Sequence, residues 1–276
     1  LSPVKIANPG SSEMNSMRVN LYYGMLNVIK NNHNHSGKDI PLKLYETGRV
    51  FFDEGKGFKE IDKLCVGICG NFDLKSFDNK IRDFDIFDLK GELEMFANIL
   101  GIKLSNVIYD KKIDKIKYET KLGHKGELFR VNTAVLKSLN IEIEKPVYIA
   151  EFNLEMLYKE HKKYLIYKPI SKFPPVKRDL SFVVEKNVDF RDIKNVINKV
   201  TKDRGLLKAL QLFDLYEDKK LGNNKSLAFS LEFSSFDKTL TDEEINPIME
   251  DIMAQLVEDV KAVIRSSEKK LTDYSN

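Results

Sequence analysis

The sequence predicts an α+β protein built as two domains. Between Leu42 and Phe152, strand-like runs follow one another with few intervening helices, which favours an antiparallel sheet with helices packed on it. From Phe173 onward the apolar periods read β-α-β-β-α-β. Between these halves lies KPISKFPP, with three prolines in eight residues, the composition of a linker. The boundaries are placed at 1–161, a linker over 162–172, and 173–276. With 276 residues and 42% hydrophobic side chains, each half can build its own core. The chain opens at Leu1 rather than a methionine, as an excised or processed fragment would.

In the first half, Leu21, Met25, Leu26, Val28 and Ile29 predict a helix that runs to Asn31 or Asn32 and ends at the polar HNHSG turn. LKLYETGRVFF and LCVGICG read as a hairpin with a long Gly-Lys-Gly connection. Leu89, Leu93, Phe96, Ala97 and Leu100 recur at helical spacing, with Asp88 as the expected cap and Gly101 as the stop. LSNVIYD, KIKYETK and ELFRV are strands, followed by a short helix near Ala134–Leu139, the strand PVYIAEF and a last turn of helix, NLEMLYK.

In the second half, strands are expected at about Asp179–Lys186, Leu206–Tyr216, Lys225–Ser234 and Ala262–Arg265, with helices at Asp189–Thr201 and Asp242–Asp259. The second helix opens on the capping box Thr241-x-x-Glu244. Pro247 in its second turn removes a backbone bond to Glu243, so a local irregularity is expected there. Leu227, Phe229, Leu231 and Phe233 alternate with Ala228, Ser230 and Glu232, one apolar face and one open. The strand before it reads as apolar on both faces, since Leu210 and Leu212 alternate with Phe213 and Leu215. In a ferredoxin-like order it lies at the sheet edge, so its second face needs a cover.

Several function classes are excluded. No apolar run approaches the ~18 to 20 residues that cross a bilayer, and no basic region precedes an apolar core at the N-terminus, so a cytoplasmic location is expected. Cys65 and Cys69 are the only cysteines. On an extended strand they lie about 13 Å apart, too far to share a metal, and they read as buried small side chains. His33, His35, His124 and His161 lack metal spacing and are expected at the surface. Asp83, Asp85 and Asp88 lack the Gly and Glu of a calcium loop and read as capping and solvated charges. Phosphate-cradling, dinucleotide, zinc-protease and nucleophile-elbow motifs are missing.

The net charge of +3 conceals a division in the second half. From Phe173 to Asn276 there are 17 Lys or Arg against 19 Asp or Glu, yet seven of those acids lie between Asp242 and Asp259, where there is no base. An acidic helix beside a basic remainder gives that half two electrically different sides. The cations able to meet phosphate are Lys177, Arg178, Lys208, Lys219, Lys220, Lys225 and Arg265.

Phe-Pro-Pro-Val-Lys-Arg-Asp-Leu-Ser-Phe (173–182), Leu-Phe-Asp-Leu-Tyr (212–216), Lys-Ser-Leu-Ala-Phe-Ser-Leu (225–231) and Thr-Leu-Thr-Asp-Glu-Glu (239–244) resemble the ferredoxin-fold anticodon-binding domain of phenylalanyl-tRNA synthetases. Asn8-Pro9, Met17-Arg18, Leu44-Tyr45-Glu46, Gly48-Arg49-Val50-Phe51, Phe87 to Glu92 and Ala150-Glu151-Phe152 resemble the catalytic-like domain of the bacterial-type β subunit. The resemblance covers nearly the whole chain. It implies a class II synthetase-like antiparallel sheet followed by the anticodon-binding domain.

The same resemblance, rather than any spacing of residues, implies that the chain is the C-terminal portion of the β subunit, binding the anticodon arm of tRNA(Phe) and assembling with the α subunit into α2β2. It also implies that ATP and magnesium belong to the complete enzyme and that this portion binds no cofactor. A class II active site needs a second Arg from a Gly-rich motif to stabilise phosphoryl charge. Here that place reads VYIAEFNLEMLY, so Glu46, Arg49 and Glu151 are expected as structural ion pairs and no catalytic residue is assigned. The rival reading is a non-catalytic protein-binding adaptor on the same two domains. A single-chain organellar synthetase also ends in this domain, but requires complete catalytic motifs before the linker.

Overall fold

The structure is a computed structural model that describes residues 2–11, 15–36, 40–73, 81–161 and 171–265. The chain divides into two units, Leu1–Ile166 and Tyr167–Asn276. Of the linker expected over 162–172, residues 162–170 lie outside the described residues. Among the described residues, no helix is long and apolar enough to cross a membrane.

Unit 1 runs α1 (Tyr22–Ser36), β1 (Leu42–Asp53), β2 (Phe58–Cys69), α2 (Ile86–Ile99), β3 (Leu104–Asp110), β4 (Lys115–Thr120), β5 (Lys125–Arg130), α3 (Thr133–Ser138), β6 (Val147–Asn153) and α4 (Leu154–Glu160). The strands form one sheet in the order β1-β2-β6-β5-β4-β3, every neighbouring pair antiparallel. Because successive strand residues face opposite ways, the sheet feeds two cores. On one side Leu21, Met25 and Ile29 meet Cys65, Cys69 and Ile149. On the other, Phe84, Ile86, Leu89 and Leu93 meet Ile68, Ile116, Leu128 and Ala150.

Three local expectations need correction. Helix α1 continues to Ser36 rather than ending at Asn31 or Asn32. The Asn32 amide donates to the Val28 carbonyl at 2.8 Å, and the His35 ring lies 2.6 Å from the Asn31 carbonyl, so polar side chains serve the last turn instead of breaking it. His33 belongs to this helix and is only 5% exposed, not a surface histidine. The N-cap of α2 is Asp85: its carboxylate accepts from the Phe87 and Asp88 N–H groups. Asp88 is the other half of the box, accepting from Asp85 N at 2.8 Å. Gly101 follows that helix with φ +68°, the conformation that ends it without side-chain strain.

Unit 2 runs β7 (Val176–Glu185), α5 (Phe190–Thr201), β8 (Leu207–Tyr216), a 3-10 turn (Lys219–Leu221), β9 (Asn224–Phe233), α6 (Asp242–Val260) and β10 (Val263–Ile264). Its antiparallel sheet has the order β10-β7-β9-β8, with β8 at the edge as expected. Leu180, Phe182 and Val184 join Leu227, Phe229, Leu231 and Phe233 on one face. Ile193, Val196 and Ile197 of α5 and Ile245, Ile248, Ile252 and Leu256 of α6 cover them at helical spacing. Helix α6 runs unbroken through Pro247, which is exposed, so water can serve the Glu243 carbonyl it leaves unbonded.

The second apolar face expected on β8 does not exist. The register shifts between Leu207 and Ala209 and again between Leu212 and Asp214, the mark of two bulges. The bulge at Phe213 reverses the alternation: Ala209, Gln211, Asp214 and Tyr216 pair with open-face residues of β9, and Leu215 returns to the register of Leu227.

Candidate nucleic-acid interface

The face of the unit 2 sheet turned away from α5 and α6 carries short side chains at its middle, Ser181, Ala228 and Ser226, and charged ones such as Lys177, Asp179 and Glu232 farther along. Two rows cross it. One runs from Arg265, whose N–H donates to Ser181 O at 2.9 Å, through Ser181 and Ala228 to Asp214. The other runs Val263, Val183, Ser226, Tyr216. Three strand spacings separate the ends of each row, about 14 Å. The floor is therefore made of Ser181, Ala228, Val183 and Ser226, with Arg265 and Val263 on one bank and Asp214 and Tyr216 on the other. Tyr216 is 50% exposed, so its ring stands free beside the floor. The Asp218 carboxylate that accepts its hydroxyl at 3.0 Å pushes the phenol up, while the Arg265 guanidinium opposes that shift.

Of the seven predicted cations, only Arg265 borders this floor. Lys177 lies on the same face at the far end, opposite Glu232 in register and 3.7 Å from its carboxylate. Lys219 and Lys220 are exposed on the turn after β8. The other three have protein partners. Arg178 falls on the helix side and pairs with Asp242, the first residue of α6. Lys208, the extra residue of the first bulge, donates to Gly205 O at 2.7 Å and lies 5.3 Å from the Phe236 ring. Lys225 donates to Lys186 O and Val188 O, at 3.1 and 2.7 Å, and ties down the turn into α5. The acids of α6 lie on the covered side of the sheet and are partly matched there, Asp251 by Arg204 and Asp259 by Lys199.

In unit 1 the charged residues noted near the hairpin are already engaged with one another. Arg18 pairs with Glu46 at 2.7 Å and donates to Arg49 O at 2.8 Å. The Arg49 guanidinium is held by Glu60 and Asp62, at 2.6 and 3.1 Å, contacts that raise its pKa further. Glu151, its side chain 4% exposed, takes Lys63 at 2.7 Å and Leu21 N at 2.8 Å. In the structure these charges are paired within the protein, Arg18 with Glu46, Arg49 with Glu60 and Asp62, and Lys63 with Glu151. Among the described residues, no group of three or more His, Cys, Asp or Glu is placed to hold a metal.

The model of the phenylalanyl tRNA synthetase beta chain CLM domain matches residues 1–154, and that of the ferredoxin-fold anticodon binding domain matches residues 171–265. The chain belongs to the phenylalanyl-tRNA synthetase beta chain family. It is 33% identical over 281 residues to the phenylalanine–tRNA ligase beta subunit of Carboxydothermus hydrogenoformans, covering 95% of this chain and 33% of that one. Against the same subunit of Dehalococcoides mccartyi it is 33% identical over 267 residues, covering 95% and 32%. Against that of Thermotoga maritima it is 29% identical over 257 residues, covering 91% and 32%. The chain thus spans about a third of the length of these relatives.

Within this beta chain, Ala228 was expected on this open face, and Arg265 among the cations; the Asp214–Tyr216 bank is what sequence reasoning missed. Strict alternation along Leu210–Tyr216 places Asp214 and Tyr216 with Leu212 on the core face. A signal was present all the same. A buried, unpaired Asp214 beside Leu212 is energetically forbidden, and one bulge between them removes the conflict.

Proposed function

We propose that this chain is the C-terminal portion of a phenylalanine–tRNA ligase β subunit and that the open face of unit 2 receives the anticodon arm of tRNA(Phe). The observation that carries the reading is the placement of Arg265, Ser181, Ala228 and Asp214 in one row beside Tyr216. A floor of small side chains admits the π-face of an unstacked base, and an aromatic ring at its edge adds a stacking surface. Asp214 accepts from ring or exocyclic N–H donors on the base edge, and Arg265 meets the adjoining phosphate. Lys177, Lys219 and Lys220 supply further phosphate contacts at the margins. Arg178, Lys208 and Lys225 shape the domain instead.

Unit 1 serves as a class II synthetase-like platform for the α subunit in an α2β2 assembly. The α subunit carries the ATP- and magnesium-dependent activation, and the location is cytoplasmic. Support comes from the ion pairs that Arg49, Glu46 and Glu151 make within the protein. The test is binding of tRNA(Phe) by the chain assembled with the α subunit. Removing the stack with Tyr216→Ala is expected to weaken binding by about 1 to 3 kcal/mol, some five- to 150-fold. Unchanged affinity in both Tyr216→Ala and Asp214→Ala would overturn the reading. Separate sedimentation of the two subunits at micromolar concentration would overturn the platform role.

A further inference from the structure

We propose that the β3–β4–β5 end of the unit 1 sheet is a second RNA contact, a phosphate-binding surface formed by Lys111, Lys112, Lys117, Lys121 and Lys125. It rests on the reading of the chain as a tRNA-binding subunit and assigns the RNA a place on the other unit. Between Lys103 and Arg130 there are eight Lys or Arg against four Asp or Glu, a net charge of +4 within a chain of +3. The structure shows why this charge is available. In β4, Ile116, Tyr118 and Thr120 are buried, so Lys117 stands on the opposite face, exposed, beside Ile108, which is 57% exposed. Lys111 and Lys112 occupy the turn before β4 and Lys121 the turn after it, about 20 Å along the strand direction. Lys125 continues the exposed row on β5, in register with Glu119.

Four acids lie among these lysines, and two of them face lysines of the set directly: Glu127 is opposite Lys117 and Glu119 opposite Lys125 in register. Asp114 accepts the Tyr109 and Tyr148 hydroxyls, both at 3.1 Å, Asp110 accepts Lys112 N at 3.0 Å, and Glu127 pairs with Lys115 at 2.7 Å. Among the described residues, none of the five proposed lysines has an ion pair, whereas Lys43, Arg49, Lys63, Arg82 and Lys145 of the same unit are each bridged at 2.7 Å or less. Lysines are point charges that meet phosphate oxygens without forking onto base edges, so the contact is independent of sequence. A protein partner would need carboxylates in one matching geometry. A phosphate backbone offers a charge at every nucleotide along its length, and gains by releasing counterions.

The test compares binding of whole tRNA(Phe) and of its isolated anticodon stem-loop by the full chain, across a potassium chloride series. The triple variant Lys111→Gln, Lys117→Gln, Lys121→Gln is expected to lower the slope of log affinity against log salt by about 2 to 3 for whole tRNA, and to leave stem-loop affinity unchanged. The triple Lys5→Gln, Lys56→Gln, Lys137→Gln removes the same charge elsewhere on unit 1 and is expected to change neither. An unaltered slope, an equal loss in the second triple, or an equal loss on the stem-loop would each overturn the inference. So would loss of α-subunit capture by the first triple with its slope intact, which would mark a protein contact. A stem-loop that does not bind the wild-type chain, with the whole-tRNA slope still falling in the first triple, would sink the reading of unit 2 and leave this one standing.

Discussion

Lys63 meets Glu151 at 2.7 Å, and the second oxygen of the same carboxylate accepts the N–H of Leu21 at 2.8 Å. One carboxylate, 4% exposed, therefore joins β2, β6 and the entry to α1. Removing one member of a buried pair strands the other charge. Glu151→Ala is expected to cost about 3 to 5 kcal/mol. Glu151→Gln should cost less, because it keeps an acceptor for Leu21. Urea unfolding of the full chain measures both, and a loss below about 1 kcal/mol for Glu151→Ala would contradict the role.

Gly126 lies under the Tyr118 ring: a Cβ there would come within 1.8 Å of the phenol oxygen. The ring is 6% exposed and packed against Phe152 with centroids 5.5 Å apart, so it has little room to retreat. Gly126→Ala is expected to destabilise by about 1 to 3 kcal/mol through overpacking. Tyr118→Phe is expected to be neutral or stabilising by up to about 1 kcal/mol, since the hydroxyl has no hydrogen-bond partner among the described residues. A large loss in Tyr118→Phe would show that the hydroxyl has a partner after all.

Burial pushes the Cys65 thiol up to about 12 and Cys69 up to about 11, from an ordinary value of 9.0. A raised acid contributes stability that is whole below the unfolded value and is lost as pH rises toward the folded one. Melting temperature is therefore expected to fall from about pH 9 upward. The fall should steepen above pH 10, where burial also raises Tyr22, Tyr118 and Tyr148. Replacing both cysteines by Ala should flatten the pH 9 to 10 segment. Fast labelling of the folded chain by a thiol reagent at pH 8 would contradict the assignment.

Arg265 borders the floor of the open face, whereas Arg178 is closed on Asp242. Arg265→Ala is expected to lower the salt slope of tRNA binding by about 0.7 to 0.9, and Lys177→Ala by a similar amount. Arg178→Ala should lower thermal stability with the slope unchanged. Glu258→Ala, on the covered side of the sheet, should change neither. The salt series decides among these, and a clear affinity loss for Glu258→Ala would mean that the RNA meets the helical side.

Much of this molecule could be read from residue order. Periodicity located the helices and strands of both units, because burying an apolar stripe on α5 or α6, or the Leu227–Phe233 face of β9, requires side chains at fixed spacing. The engagement of Glu46, Arg49 and Glu151 in ion pairs was legible too, through what the neighbouring segment lacked. Other features depend on contacts between residues far apart in the chain. The bulge that turns Asp214 and Tyr216 to the open face is decided by pairing with β9, since a strand by itself carries no record of where its register slips. The burial of His33 comes from the seat of α1 in the fold. Alternation already sends Lys177 to the open face and Arg178 to the core side, but which acid each meets, Glu232 or Asp242, was settled in three dimensions. Lys225 is half-buried with two carbonyls within reach, whereas Lys117 is exposed. A local pattern states a side chain's type and its face, and long-range packing states whether its charge is already spent.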